Sequence, residues 1–206
     1  MKKLFIILLF LPFMGWSQND LGNANDIDRI ALDVVIPDQV TDIPDFARSL
    51  LESKIIQAVT DNGMGGAGVS PRFLVTAKIE TLSKDITPTT PPMEAYTFEV
   101  YLYLVDFIDK NILSTVSFPA KGAGTNANKA YTNALGAVSL KNKSVKKFLD
   151  DGKRKIIEYY NTRCDFVISR AQSLAAQKQF QQAIATLSGV PEVCKDCYTK
   201  CLSAIG

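Results

Sequence analysis

Three of the four cysteines fall within the segment PEVCKDCYTKC, residues 191–201, and the fourth stands at position 164. A CxxC formed by Cys194 and Cys197, followed by Cys201, admits three chemistries. A thiol–disulfide enzyme needs its attacking cysteine at a helix N-terminus after a strand, where the helix dipole lowers the thiol pKa. Pro191 and Glu192 read as the start of a helix with Cys194 in its first turn. Glu192 and Asp196, however, flank the thiol with negative charge, and no strand–helix–strand unit precedes it. Zinc could be held by Cys164, Cys194, Cys197 and Cys201. The cluster lacks a second CxxC, and in an exported chain oxidation competes with the metal. Structural disulfides are the expected use of an even number of cysteines outside the cytosol, so no metal and no cofactor is expected.

Other reactive constellations are sparse. Histidine is absent, which removes the commonest general base and any Ser-His or Cys-His nucleophile pair. Asp150 and Asp151 are adjacent, so on a helix they point about 100° apart instead of converging. The glycine-rich MGGAGVSP at 64–71 lacks the Lys-Ser/Thr of a phosphate loop and follows a helical pattern, and it reads as a flexible link. Tyr101 and Tyr103 share the polar face of a strand with Glu99. That stripe is either a ligand platform or partly covered surface beneath a Pro-rich loop. The expectation is a protein that is not an enzyme.

Compartment follows from the N-terminus. MKKLFIILLFLPFMGWSQ has two lysines, an apolar run from Leu4 to Met14, and small residues at Gly15 and Ser17. This is the pattern of a secretory signal peptide over 1–17, with cleavage before Gln18. The apolar run is too short to span about 30 Å of hydrocarbon. No later stretch is apolar enough to cross a bilayer, so a soluble periplasmic or secreted protein is expected. No cysteine stands near Ser17 to carry a lipid. Loss of Lys2 and Lys3 balances basic and acidic residues at 21 each. With the KNKSVKK patch at 141–147 reading as a solvated helix entry, no nucleic-acid partner is expected.

The elements that would position these residues can be read from periodicity. Residues 18–28 are a polar lead-in expected to be disordered. RIALDVVIP (29–37) reads as a strand ended by proline. A helix follows, with Asp42 as candidate N-cap and Pro44 in the first turn. Its inward residues would be Phe46, Leu50, Leu51, Ile55 and Val59, with Gly63 as its stop. Period-two alternation predicts strands over 72–86, 93–107 and 111–124. The first two are joined by a stiff TPTTPP loop and the last two by a tight turn at IDKN. A helix over 125–138, capped by Thr125 or Asn126, would turn Ala130, Ala134, Leu135 and Val138 inward. The order β-α-β-β-β-α predicts a two-layer α+β sheet domain over 29–143. From Ser144 the pattern stays helical for some 34 residues, with a kink expected near Gly152. QKQ at 177–179 reverses the chain into a second helix, and a third opens at Pro191. The region 144–206 is thus expected to be helical.

Two resemblances attach to these residues. From Arg29 to Val138, with KGAGTNANKAYTNAL at its end, the chain resembles the periplasmic α/β domain of the curli secretion channel subunit and of penicillin-binding-protein activator lipoproteins. Those domains similarly close on a Gly-x-Gly-Ser/Thr step and an Ala-rich helix. From Val167 to Val190, residues Ala171, Leu174, Phe180, Ala183, Ile184 and Leu187 stand where a tetratricopeptide-type hairpin places its packing residues. In such a stack the first and third helices run side by side, and a residue about 34 positions on lies at the same height. The resemblance therefore implies a bridge from Cys164 to Cys197, or failing that to Cys194, with the remaining two cysteines linked or close. Together these point to an exported, non-catalytic cell-envelope protein acting as a protein-binding or assembly module with an envelope protein partner. Lys178, Gln181 and Gln182, lying off the inferred packing face, are the candidate contacts, with Tyr101 and Tyr103 as a second surface. A thiol–disulfide oxidoreductase and a small-ligand or glycan binder are the alternatives.

Overall fold

The computed structural model describes residues 30–37, 44–66 and 72–206. The segments read as a signal peptide and a lead-in, the N-cap candidate Asp42 and most of the glycine-rich link lie outside them. In chain order the elements are β1 (Asp33–Val34), α1 (Asp45–Asp61), β2 (Phe73–Thr87), β3 (Met93–Asp106), β4 (Asn111–Gly124), α2 (Ala127–Ala137), α3 (Lys143–Ala176), α4 (Phe180–Ser188) and α5 (Lys195–Ile205). The fold is α+β: a four-stranded sheet in the order β1-β2-β3-β4, followed by C-terminal helices. β1 pairs parallel with β2, and β2, β3 and β4 form an antiparallel meander. Among the described residues no helix is long and apolar enough to cross a membrane.

The strands follow from alternation. Phe73, Val75, Ala77 and Ile79 of β2 and Tyr96, Phe98, Val100, Leu102 and Leu104 of β3 are all buried on one sheet face. The opposite face is polar or half-exposed, as a sheet covered on one side requires. β1 is much shorter than the strand expected over 29–37. Among the described residues only Asp33 and Val34 pair with β2 on this edge, opposite Leu74 and Val75, while Leu32 bridges to Gly65 after α1. β2 therefore outruns its neighbour, and from Glu80 to Ile86 it is exposed.

Helix α1 starts one position later than a Pro44 first turn would give, with Pro44 itself as the N-cap. Its buried side is Ala47, Leu51, Ile55, Ala58 and Val59, and Phe46 is 39% exposed. The inward stripe is thus rotated from the expected one, because two alanines complete it and the phenylalanine is left at its margin. Gly63 ends the segment in the left-handed region at φ 72°, where glycine carries no steric cost.

Helix α2 begins as expected. The Asn126 side chain accepts from the Lys129 N–H, and Ala130, Tyr131, Ala134 and Leu135 are buried. It lies unusually close to β4: a Cβ at Gly122 would come within 2.3 Å of Ala130 O and Ala134 N. Its C-terminal carbonyls are gathered by one side chain of α1. Lys54 Nζ donates to Leu135 O, Gly136 O and Val138 O at 2.8, 2.6 and 2.8 Å, satisfying orphan acceptors at the negative end of the helix.

Helix α3 spans the 34 residues expected of it, capped by Asn142. The break near Gly152 does not occur. Gly152 is buried within continuous helix, and a Cβ there would meet Leu104 Cδ1 at 2.6 Å. The glycine is a packing residue that lets α3 approach the sheet. The departure from helical geometry comes instead at Arg163, φ −124° and ψ 20°. Val145, Phe148, Leu149 and Ile156 of α3 belong to the same core as the sheet, so the core runs across residue 143.

The third helix of the C-terminal region also starts later than expected. Pro191 to Val193 form a turn, with Cys194 N–H bonded to Pro191 O, and Cys194 is the N-cap of α5. Ala171, Ala183 and Leu187 pack at the helix contact. Phe180 and Ile184 do not: they are 59% and 50% exposed, because α4 is only nine residues long and turns its alanine side to α3.

Candidate functional site

The cysteines are brought together by α3 and α5. Cys164 and Cys197 form a disulfide, with Cα atoms 5.4 Å apart and a sequence separation of 33. The first of the expected pairings is therefore present. The remaining two are not linked: Cys194 and Cys201 are buried free thiols. Cys194 leaves the shared face because it caps α5 instead of lying within it. Cys201, one turn beyond Cys197, keeps its sulfur within 4.8 Å of both bridged sulfurs. Burial pushes the thiols of Cys194 and Cys201 up from their ordinary value, opposite to the direction a reactive nucleophile needs. The CxxC is thus split between an N-cap residue whose thiol makes no capping bond and a bridge to a distant helix.

Tyr101 and Tyr103 sit on the outer sheet face, their rings stacked with centroids 6.3 Å apart and planes 15° from parallel. Lys78 Nζ lies 5.9 Å from the Tyr101 centroid. Their cross-strand neighbours are Lys78 and Ser117, and Thr76 and Thr115. Glu99 stands opposite Glu80 on the same face. Among the described residues no helix covers this surface. Lys178, Gln181 and Gln182 are exposed around the α3–α4 turn, where Lys178 takes the left-handed conformation at φ 62°. The structure does not bring them near the tyrosines in any contact among the described residues.

Sequence reasoning missed a charged cluster at the base of the sheet. Arg72, at the start of β2, donates through Nε and Nη2 to Asp106 Oδ2 at 2.9 and 2.8 Å, and through Nη2 to Asp109 Oδ2 at 2.7 Å. Asp106 Oδ1 accepts the backbone N–H groups of Ile108 and Asp109 and so shapes the β3–β4 turn. Asp109 also accepts from Arg170 Nη1 at 2.9 Å and from the Tyr159 hydroxyl at 3.1 Å. The guanidinium carbon of Arg72 lies 5.3, 5.7 and 5.9 Å from the rings of Tyr160, Phe73 and Tyr159. The Tyr160 hydroxyl donates to Gly189 O after α4.

Charge balance explains why this cluster tolerates burial. Burial disfavours the charged form of Asp109, but hydrogen bonds from Arg170 and Tyr159 and the nearby Arg72 outweigh it and hold its carboxyl below the ordinary value. Burial likewise opposes the charge on Arg72, and Asp106, Tyr160 and Asp109 together more than restore it. Burial raises Tyr160 well above the usual phenol range, so it remains a neutral donor. Both oxygens of each carboxylate already accept protein donors. What the arrangement can do is pin the β3–β4 turn, the start of β2, α3 and the end of α4 together. The missed signal was the pair of charged residues bounding two apolar-faced strands. Its meaning depends on register, since Phe73 pairs with Asp106.

No family model matches the chain, and no curated protein matches it in sequence. Solved structures with a similar arrangement include a minor lipoprotein from Acinetobacter baumannii, at 9% identity and a TM-score of 0.36, covering 63% of this chain and 95% of that one. A Xanthomonas campestris protein of the DUF330 family is similar at 14% identity and a TM-score of 0.38, covering 62% and 86%. PelC from Paraburkholderia phytofirmans, solved as a dodecamer, is similar at 16% identity and a TM-score of 0.33, covering 62% and 87%. At these scores and identities the likenesses carry no argument about what this chain does; they are low-identity neighbours, among them lipoproteins.

Proposed function

We propose that this chain is an exported, non-catalytic cell-envelope protein that binds a protein partner, with the uncovered sheet face as its principal contact. The observation that carries this reading is the stacked Tyr101–Tyr103 pair, half-buried on a face no described helix covers. Tyrosines of this kind give large contact area at low conformational cost, and interface cores are enriched in them. The element order through α2 supports a kinship with the sheet domain of the curli secretion channel subunit and penicillin-binding-protein activators. The exposed α3–α4 turn with Lys178, Gln181 and Gln182 offers a second, smaller contact.

The test is chemical crosslinking and affinity capture of the exported protein from envelope extract. Tyr101→Ser with Tyr103→Ser should abolish capture of a discrete partner while leaving the melting temperature within a few degrees. The triple alanine change at Lys178, Gln181 and Gln182 should weaken capture without altering melting. Undiminished capture by both variants sinks the proposal. Loss of binding to immobilised glycans in the tyrosine variant, with protein capture intact, would favour a sugar-stacking platform instead.

A further inference from the structure

The sulfurs of Cys164, Cys197 and Cys201 lie within 4.8 Å of one another, yet only two of them are bonded. Cys197 and Cys201 stand four residues apart on α5, so they project from the same side of the helix one turn from each other. Cys164 thus has two partners within reach. A disulfide needs about 2.05 Å between sulfurs. From 4.8 Å or less, the gap left for Cys201 is at most roughly 3 Å, the distance a cysteine sulfur moves in one rotamer step. A second observation makes the site adaptable. Arg163 leaves helical geometry immediately before Cys164, so the bridging cysteine opens a new helical segment instead of sitting inside a rigid one.

We propose that the staple between α3 and α5 has two interchangeable covalent forms, Cys164–Cys197 and Cys164–Cys201. They interconvert by internal thiol–disulfide exchange, and α5 shifts by up to one turn along α3. In the step, Cys201 loses its proton and its thiolate bonds to Cys164 Sγ. The Cys164–Cys197 bond breaks, and Cys197 leaves as a thiolate and takes up a proton. One disulfide and one thiol exist before and after, so no oxidant or reductant is consumed. Attack on Cys197 instead would give an i,i+4 bridge within α5, whose Cβ atoms are held about 5–6 Å apart by the helix, beyond the 3.5–4.5 Å usual for a disulfide. Geometry therefore directs exchange to Cys164. The buried, raised thiol of Cys201 supplies little thiolate at neutral pH, which makes the exchange slow and the two forms separable. Cys194 lies outside the three-sulfur cluster and takes no part.

The deciding variant is Cys197→Ser in the full chain, folded in a glutathione redox buffer, alkylated in acid and digested without reduction. The expected map contains a Cys164–Cys201 peptide pair, with the far-UV spectrum of the wild type. Alkylated Cys164, or Cys164 joined to Cys194, overturns the proposal. Should that variant fail to fold, the wild type decides. Held folded at mildly alkaline pH, it should accumulate Cys164–Cys201 peptide, and the Cys201→Ala variant should not. A wild-type map showing Cys164–Cys197 alone after that incubation overturns it equally.

Discussion

Replacing Gly122 by alanine tests how closely α2 is seated on the sheet. A Cβ there would lie 2.3 Å from Ala130 O and Ala134 N, and 2.8 Å from Ala134 Cα. Carbon contacts are comfortable at about 3.5–4.0 Å. The obstructing atoms are helix backbone, so no side chain can swing aside, and α2 must lift or β4 must bow by roughly 1 Å. A gap of that size forfeits about a quarter to a half of each contact's dispersion energy. The seat buries Ala130, Tyr131, Ala134 and Leu135, and a large apolar side chain contributes about 1.5–3 kcal/mol when buried. The expected loss is therefore about 2–3 kcal/mol, or roughly 5–10 °C in Tm for a domain of this size. Gly136→Ala on the same helix is the control. Nothing lies within 4 Å of its added Cβ, and removing a helical glycine stabilises by about 0.5–1 kcal/mol. Thermal unfolding followed by circular dichroism reads both. If Gly122→Ala melts with the wild type, α2 does not rest on Gly122 and the reasoning fails.

Four further outcomes follow from the packing. Converting both Cys164 and Cys197 to Ser should cost about 4 kcal/mol by the loop-entropy estimate for a bridge of this separation, read as a lowered urea midpoint. Arg72→Met should cost about 3–5 kcal/mol, because it leaves the Asp106 carboxylate buried without its cation and Asp109 with Arg170 alone. Asp109 itself has a depressed folded pKa, so its contribution is present above the unfolded carboxylate value near 4 and lost as pH falls through the folded one. Asp109→Asn should lower stability at pH 7 and flatten the loss between pH 5 and pH 2; an acid limb as steep as the wild type's would contradict this. A chain ending at Lys143 should show no cooperative melt, since Phe148, Leu149 and Ile156 would no longer cover the sheet; a sharp transition in that truncation would mean the sheet layer is self-sufficient.

What the sequence disclosed was whatever rested on local period. The three long strands were legible to within a residue or so, because strict alternation from Phe73 to Leu104 admits only one face. The cap of α2 was legible to one of two neighbours, Thr125 or Asn126, and the structure uses Asn126. Small residues blurred the reading: Ala47 and Ala58 complete the buried side of α1, and nothing in their type distinguishes a core alanine from a surface one. Gly152 misled because propensity penalises glycine in a helix, whereas the close approach to Leu104 rewards it. The break at Arg163 has no local signature at all. The Cys164–Cys197 pairing was legible as the first of the two, Cys197 before Cys194, that the tetratricopeptide resemblance implied. The Arg72–Asp106–Asp109 cluster was not, since its members meet only after β2 and β3 adopt their register.

The unequal lengths of β1 and β2 set a pattern for solvent exchange. A strand of 15 residues reaches about 50 Å, while β1 accompanies it for two residue pairs. Along the remainder, every second amide of β2 bonds to β3 and the intervening ones face away from it. Deuterium uptake should therefore alternate residue by residue, slow and fast in turn, from Thr76 to Thr81 and again from Ser83 to Thr87, with the phase broken at Leu82, where the register with β3 shifts. On β3, held along both edges, it should be slow throughout. The sheet is anchored by its central strand, and its β1-side border beyond Val75 is half open to hydrogen exchange even while the protein stays folded.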